Sequence, residues 1–261
     1  MKYLNDVSYK DCAGKVCVSK SSGDFKILKY NDTTNVEIQF VQTGYETTVE
    51  LGNIKKGDVK DPYVPSVFGV GITGTKYLIT ISGVKTREYA LWKNMLQRCY
   101  SDAYRNKRPT YAGCKVSDNF KSYEYFYEWC HKQIGFGNQG WHLDKDLLTK
   151  GNIKGNKVYS EDSCVFIPSE INTLLIKRAA SRGEHLIGVS WSNTNKAFVA
   201  RVNKSKGGSE YLGLFNTEIE AFKAYKKAKE SFVKEQAYKW KSQIDPRAYN
   251  ALMNYEVDID D

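Results

Sequence analysis

Along residues 14–52, apolar and polar side chains alternate with period two. Lys26, Leu28 and Tyr30 alternate with Ile27 and Lys29, and Val36, Ile38 and Phe40 alternate with Glu37 and Gln39. Such alternation predicts strands with one wet face. Four strands are expected, at Lys15–Ser19, Asp24–Tyr30, Val36–Gln42 and Thr47–Leu51, separated by Ser-Gly, Asn-Asp and Thr-Gly. Short strands at this density predict a small SH3-like β-barrel. Pro62, Pro65, Gly69, Gly71 and Gly74 then mark the exit from that domain.

The period changes after a short strand at Lys76–Ser82. Trp92, Met95, Leu96, Cys99 and Tyr100 share one helical face, which predicts a helix over Arg87–Tyr100. Asp118 is placed to cap a second helix over Asn119–Ile134, with Phe120, Tyr123, Phe126, Cys130 and Ile134 inward. That spacing favours core packing of the aromatics over base stacking. Strands at Trp141–Leu148 and Lys157–Ile167 flank a Gly/Asn/Lys loop, and Pro168 is suited to begin a helix running to Arg178. The order is strand, loop, strand, helix: a ββα unit.

The third stretch predicts strands at Gly188–Trp191, Ala197–Val202 and Glu210–Phe215. Thr217 with Glu220 three residues on forms a capping box, and Ala221, Phe222, Tyr225, Ala228 and Phe232 line one face of the helix that follows. Three antiparallel strands backed by one helix are expected. The fold class is therefore α+β: a β domain at 1–70, a helical and ββα domain at 71–180, a sheet-and-helix domain at 181–240, and an acidic tail at 241–261.

Composition narrows the partner. The 261 residues carry 39 Lys+Arg against 30 Asp+Glu, a formal net charge of +9. Residues 1–70 are neutral, with nine charges of each sign, whereas 71–140 and 181–255 each carry a net +6. Two basic blocks favour a polyanion, and the neutral first block suits a protein partner. The longest apolar runs fall far short of a membrane span, and Met1–Lys10 has no apolar leader core, so a cytoplasmic protein is expected. Cys12, Cys17, Cys99, Cys114, Cys130 and Cys164 form no CxxC pair. Reduced thiols are expected; Cys99, Cys114, Cys130 and His131 are the only set suggestive of zinc, and zinc is not expected.

Strand alternation names an open sheet face. If Phe198, Ala200 and Val202 meet the helix, then Val199 and Arg201 face out; if Val189 and Trp191 face in, Ser190 and Ser192 face out. Lys196, Lys204 and Lys206 occupy the turns at the rim. Arg can read guanine and lysines can neutralise phosphates when a sheet enters a major groove. The bland alternative for Arg201 is a solvated strand residue.

Gly188-Val189-Ser190-Trp191, Phe198-Val199-Ala200-Arg201-Val202 and the run from Tyr211-Leu212-Gly213 to Ala221-Phe222-Lys223-Ala224-Tyr225 resemble an AP2/ERF DNA-binding domain. The resemblance implies a sheet docked in the major groove of double-stranded DNA. Ser190 and Ser192 stand where plant members often have arginines, which implies a looser readout.

The ββα unit resembles the one-metal HNH nucleases. Leu143-Asp144-Lys145-Asp146 occupies the place of that family's Asp-His pair, and Ser163 to Asn172 resembles the second strand and helix entry. Together with the Trp92 to Tyr100 helix and the AP2-like domain, the chain resembles phage-borne HNH endonucleases of the homing type. The resemblance implies Asp144 and Asn172 as ligands of Mg²⁺ or a similar hard cation. It also exposes a departure: Lys145 stands at the general-base position, and a lysine of ordinary pKa, about 10.4, holds its proton at neutral pH. His142, two residues before Asp144, could serve as base; Lys145 could act desolvated; or Lys145 binds phosphate in a unit without cleavage. Asp144 and Asp146 could also simply pair with neighbouring lysines. The expectations are a DNA endonuclease or, alternatively, a non-catalytic DNA-binding regulator.

Overall fold

The computed structural model describes residues 12–149, 157–176, 184–204 and 208–261. The chain divides into two compact units, residues 1–112 with 116–127, and residues 113–115 with 128–261. The fold is mixed α+β with several small sheets. Among the described residues no helix is long and apolar enough to cross a membrane.

In the first unit, β1 (Val16–Ser19), β2 (Gly23–Tyr30), β3 (Val36–Phe40) and β4 (Glu46–Val49) form an antiparallel meander in sequence order. The expected barrel does not close: β1 and β4 remain the edges of an open four-stranded sheet. One face is covered instead by α1 (Leu51–Lys56), whose Leu51 and Ile54 join Phe25, Ile27, Val36, Ile38 and Phe40 in one core. A short helix meets the need for burial that closure would have met.

A hairpin of β5 (Thr80–Ile81) and β6 (Val84–Lys85) leads into α2 (Arg87–Tyr100), and α3 (Asp102–Lys107) follows. Thr86 caps α2, accepting the Tyr89 N–H. Trp92 is buried and donates its ring N–H to the Phe120 carbonyl at 2.8 Å, while its ring lies 5.4 Å from that of Tyr123. Gly71 permits this packing, since a Cβ there would lie 2.5 Å from Leu96 Cδ1. After β7 (Lys115–Val116) comes α4 (Tyr123–Lys132). The second helix is thus shorter than expected. Asp118 caps nothing and instead pairs with Lys121 at 2.7 Å, Asn119–Lys121 forms a separate 3-10 turn, and Ile134, expected inward, lies beyond the helix end and is 48% exposed.

In the second unit, β8 (Trp141–Asp144) pairs antiparallel with β10 (Val165–Pro168), with β9 (Val158–Tyr159) between them in sequence and α5 (Ser169–Leu175) after them. The expected long second strand is broken at Ser160–Cys164 by a serine turn. The Ser163 hydroxyl donates to the Val158 carbonyl at 2.6 Å and accepts the Ser160 N–H at 2.9 Å. The ββα helix begins at Ser169, with Pro168 at its N-cap position, and ends at Leu175, where Ile176 turns extended, three residues short of the expected end at Arg178.

β11 (Val189–Ser192), β12 (Ala197–Asn203) and β13 (Ser209–Phe215) form the three-stranded antiparallel sheet, followed by α6 (Glu218–Trp240) and α7 (Pro246–Met253). Both halves of the Thr217–Glu220 capping box are made. One core joins the ββα segment, the sheet and the two helices after it. Val165, Ile167, Ile171 and Leu174 from the ββα segment pack with Val202 of the sheet, with Phe222, Tyr225 and Val233 of α6, and with Leu252 of α7. Residues 241–261 are therefore not merely an acidic tail: Ile244, Ala248, Leu252, Tyr255 and Val257 are core residues. Apolar positions between the charges, spaced for a short helix after Pro246, account for that.

Gly188 leads into β11 at φ +76, and a Cβ there would lie 2.0 Å from the Tyr225 ring. Gly188→Ala is expected to destabilise the second unit by about 2 kcal/mol or more in denaturant unfolding, through strain and overpacking together. An unchanged midpoint would show that the strand and helix do not approach this closely.

Candidate nucleic-acid interface and ββα site

The three-stranded sheet has one face on α6 and one face open. Ala200 and Val202 are fully buried, whereas Arg201 and Ser190 are exposed, as alternation requires. Ser190 pairs with Val199, and Val199 with Leu214, so these three cross the open face in a row. A bulge between Ala200 and Arg201 then pairs Arg201 with Tyr211 and leaves Leu212 as the extra residue. Leu212 packs on the core, while Leu214 and Tyr211, at 44% and 50% exposure, lie outward. Gly213, at φ +134, supplies the backbone conformation the irregularity needs. The result is a guanidinium set 5.4 Å from the Tyr211 ring centroid, a cation held over a π face.

Tyr211 and Leu214 escape simple alternation, because the bulge shifts the parity of β13. A glycine inside an apolar strand pattern is the signal that marks it. Trp191, expected inward, is 42% exposed. Its ring stands edge-on to Phe198 at 4.9 Å and its N–H reaches Asn193 at 3.1 Å, so it closes the end of the sheet.

The rim differs in detail from the expected one. Lys196 is exposed in the β11–β12 turn, at φ +50. Ser192, expected to face a ligand, has its hydroxyl engaged in that turn, accepting the Asn195 backbone N–H at 3.3 Å and its side-chain amide at 3.1 Å. Lys204 turns toward α6, pairing with Glu210 at 2.7 Å and lying 5.1 Å from the Phe232 ring centroid. Lys206 lies outside the described residues.

In the ββα segment, His142 is exposed on β8 opposite Ile167. Asp144 lies at the end of the same strand, and its Oδ1 accepts the backbone N–H groups of Asp146 at 3.0 Å and Leu147 at 2.8 Å. Burial pushes the Asp144 carboxyl above the ordinary aspartate value, against the opposing effect of those two hydrogen bonds. Lys145 is buried at 6% exposure; its ammonium pairs with Asp146 and sits 5.5 Å from the Tyr159 ring centroid. Cys164, beside Ser163, is fully buried, and burial pushes its thiol up to about 12. Asn172 is half-buried on α5.

Hence β8 carries His142, Asp144 and the entry to Lys145 within four residues, and α5 follows directly from β10 with Asn172 in its first turn. Among the described residues, no group of three or more His, Cys, Asp or Glu side chains is gathered closely enough to hold a metal ion. The six cysteines are free thiols. No family model, curated protein or solved structure matches the chain.

Asp144 has two separable properties, an acceptor that closes a turn and a charge that burial disfavours. In the absence of divalent cations, Asp144→Ala is expected to lose about 1 kcal/mol of stability with the turn bonds. Asp144→Asn keeps the acceptor and removes the charge, so it is expected to match or exceed the wild type at neutral pH. The sign follows from linkage. A carboxyl whose folded pKa is raised holds its proton better when folded, so its contribution is greatest below the ordinary value of 3.8 and is lost as pH rises through the folded value. Chemical denaturation in EDTA across pH checks this, and equal loss in both variants would contradict it.

Proposed function

We propose that the protein binds double-stranded DNA through the open face of its C-terminal sheet and that its ββα segment is an HNH-like, metal-dependent endonuclease site. The observation that carries the binding reading is Arg201 held over Tyr211 on an exposed, bulged strand pair. A guanidinium supported by a ring face is presented at lower entropic cost than a free one, and a sheet of this width fits a major groove. Ser190, Val199 and Leu214 supply small polar and apolar contacts beside it, and Lys196 supplies phosphate contact. The motif resemblance to AP2/ERF domains supports the same reading.

In the cleavage reading, Asp144 and Asn172 hold the cation. One carboxylate and one amide oxygen suit a hard ion such as Mg²⁺, which keeps several of its own waters. When bound, such an ion stabilises charge on the phosphoryl and leaving oxygens. The protein's own part is proton transfer, and the reading assigns it to His142, an imidazole exposed on the same strand as Asp144. Lys145 is assigned a structural role, because its charge is spent on Asp146 and Tyr159. The neutral β domain at 1–70 is an accessory protein-interaction module, and the protein works in the cytoplasm, that of a host cell if it is phage-encoded.

A specific observation favours a second reading. Lys145, at the family's base position, is buried and paired, which suits a DNA-binding regulator whose HNH unit is degenerate. Incubation with supercoiled plasmid and Mg²⁺ or Mn²⁺ decides between them. The endonuclease reading predicts nicking that falls by about a hundredfold or more in His142→Ala and in Asp144→Asn. Duplex binding without nicking under any of these conditions selects the regulator.

The interface makes its own prediction. Arg201→Ala is expected to cost about 1–3 kcal/mol on preferred duplexes and to flatten sequence preference. Lys196→Ala is expected to weaken all sequences alike and to reduce the salt slope by about one. Fluorescence anisotropy at several salt concentrations measures both, and identical behaviour of the two variants would overturn the assigned roles.

A further inference from the structure

The β5–β6 hairpin of the first unit leaves a concentrated apolar surface in solvent. Leu78 is 69% exposed, Ile79 39%, Ile81 59% and Val84 71%. Four large aliphatic side chains within seven residues are more than scattered surface hydrophobicity. The hairpin is also narrow and fixed. Ser82 and Gly83 form its two-residue tip at φ 49 and φ 79, both in the left-handed region, as a tight hairpin turn with strand-matched twist requires. Ile81 and Val84 face each other directly below that tip, and Thr80 pairs with Lys85 behind them. The Thr86 N–H, bonded to the Ile79 carbonyl at 3.1 Å, ties the base of the hairpin to the start of α2.

Charge at the base of the hairpin points to the partner. Lys85 ends β6, and Lys93 stands on α2 beside it. The Lys93 amine is pushed below its ordinary value by Lys85, first because a hydrogen bond from Lys85 favours the neutral acceptor form and then because of that lysine's charge. Two lysines this close disfavour charge on one another, and a shared anion relieves that. An aliphatic tip with paired lysines behind it has the chemistry of an apolar wedge flanked by phosphate contacts.

We propose that this hairpin is a second duplex-DNA contact, in which Ile81 and Val84 wedge against base steps in a groove while Lys85 and Lys93 bind the adjacent phosphates. The inference rests on the DNA-binding reading above and extends it to a surface that reading does not use. A wedge of this kind unstacks bases and supplies apolar contact, whereas the lysine pair supplies salt-dependent affinity without sequence preference.

The test uses the full chain and duplexes carrying 2-aminopurine, whose fluorescence rises when it is unstacked. Wild-type binding is expected to raise the signal. The double variant Ile81→Ser with Val84→Ser should abolish the rise and weaken binding by about tenfold, as loss of two buried aliphatic contacts implies, with an unchanged salt slope. Lys85→Gln with Lys93→Gln should lower the salt slope by about two. All four positions lie on the surface or at its edge, and thermal melting verifies that the variants fold. Arg201→Ala separates the two readings. A wild-type chain that binds no duplex overturns both. If duplex binding depends on Arg201 while both hairpin variants keep wild-type affinity, slope and fluorescence, only the wedge is overturned. Sedimentation with phosphatidylserine vesicles supplies the other arm. Vesicle binding lost in the Ile81/Val84 variant, with DNA binding intact, would overturn the wedge and reassign the hairpin to an anionic membrane surface.

Discussion

The second unit depends on the buried face of α6. Neither partner of that helix can bury itself: β8 and β10 are four residues each, α5 is seven, and the C-terminal sheet has only three strands. α6 runs for 23 residues and meets both needs with one stripe. Phe222, Tyr225 and Val233 share a core with Val202 of the sheet and with Val165, Ile167, Ile171 and Leu174 of the ββα segment. Polar contacts reinforce the join. Lys229 is 8% exposed and donates to the Leu174 carbonyl at the end of α5, Lys239 pairs with Glu170 at 2.6 Å, and Trp240 stands edge-on to Trp141 at 5.8 Å. On the proposed reading, a surface that reads DNA and a site that cuts it are mounted on one core. Recognition and cleavage would then keep a fixed spacing without a linker to set it.

Net charge describes this chain less well than the placement of each cation does. Several lysines that contribute to the +9 total are spent internally. Lys145 is buried against Asp146 and Tyr159, and Lys229 against a helix-end carbonyl, while the more exposed Lys204 is paired with Glu210 and lies by Phe232. Burying a lysine is costly unless its donors and charge are met, and each of these has partners. Where a cation faces outward, as Arg201 and Lys196 do on the sheet and Lys85 does by the hairpin, its position is therefore more informative than the sum.

Strong periodicity was legible in the sequence. The Arg87–Tyr100 helix and the Thr217–Glu220 capping box are found at the expected residues, because five apolar positions on one face and a paired cap leave little choice. The sheet faces were legible wherever alternation was unbroken, as at Ala200, Arg201 and Val202. Long-range packing was not. Whether a four-stranded meander closes depends on what else can cover its face, and here Leu51 and Ile54 of α1 do so. The core role of Ile244, Leu252 and Val257 was hidden by the acidic residues among them. The site was legible as a set of residue types but not as geometry. The bulge that brings Tyr211 to Arg201 and the burial of Lys145 follow from contacts between residues distant in sequence or from one glycine's φ, and the Ser192 hydroxyl is taken up by a local turn with Asn195 that alternation does not register.

The central claim is that duplex DNA meets the open face of β11–β12–β13. Hydrogen–deuterium exchange of the full chain with and without a duplex tests it most directly. The account predicts protection concentrated in residues 189–203 and 209–215, with the solvent face of α6 unchanged. Protection confined to α6, or none in the second unit despite binding, would contradict it.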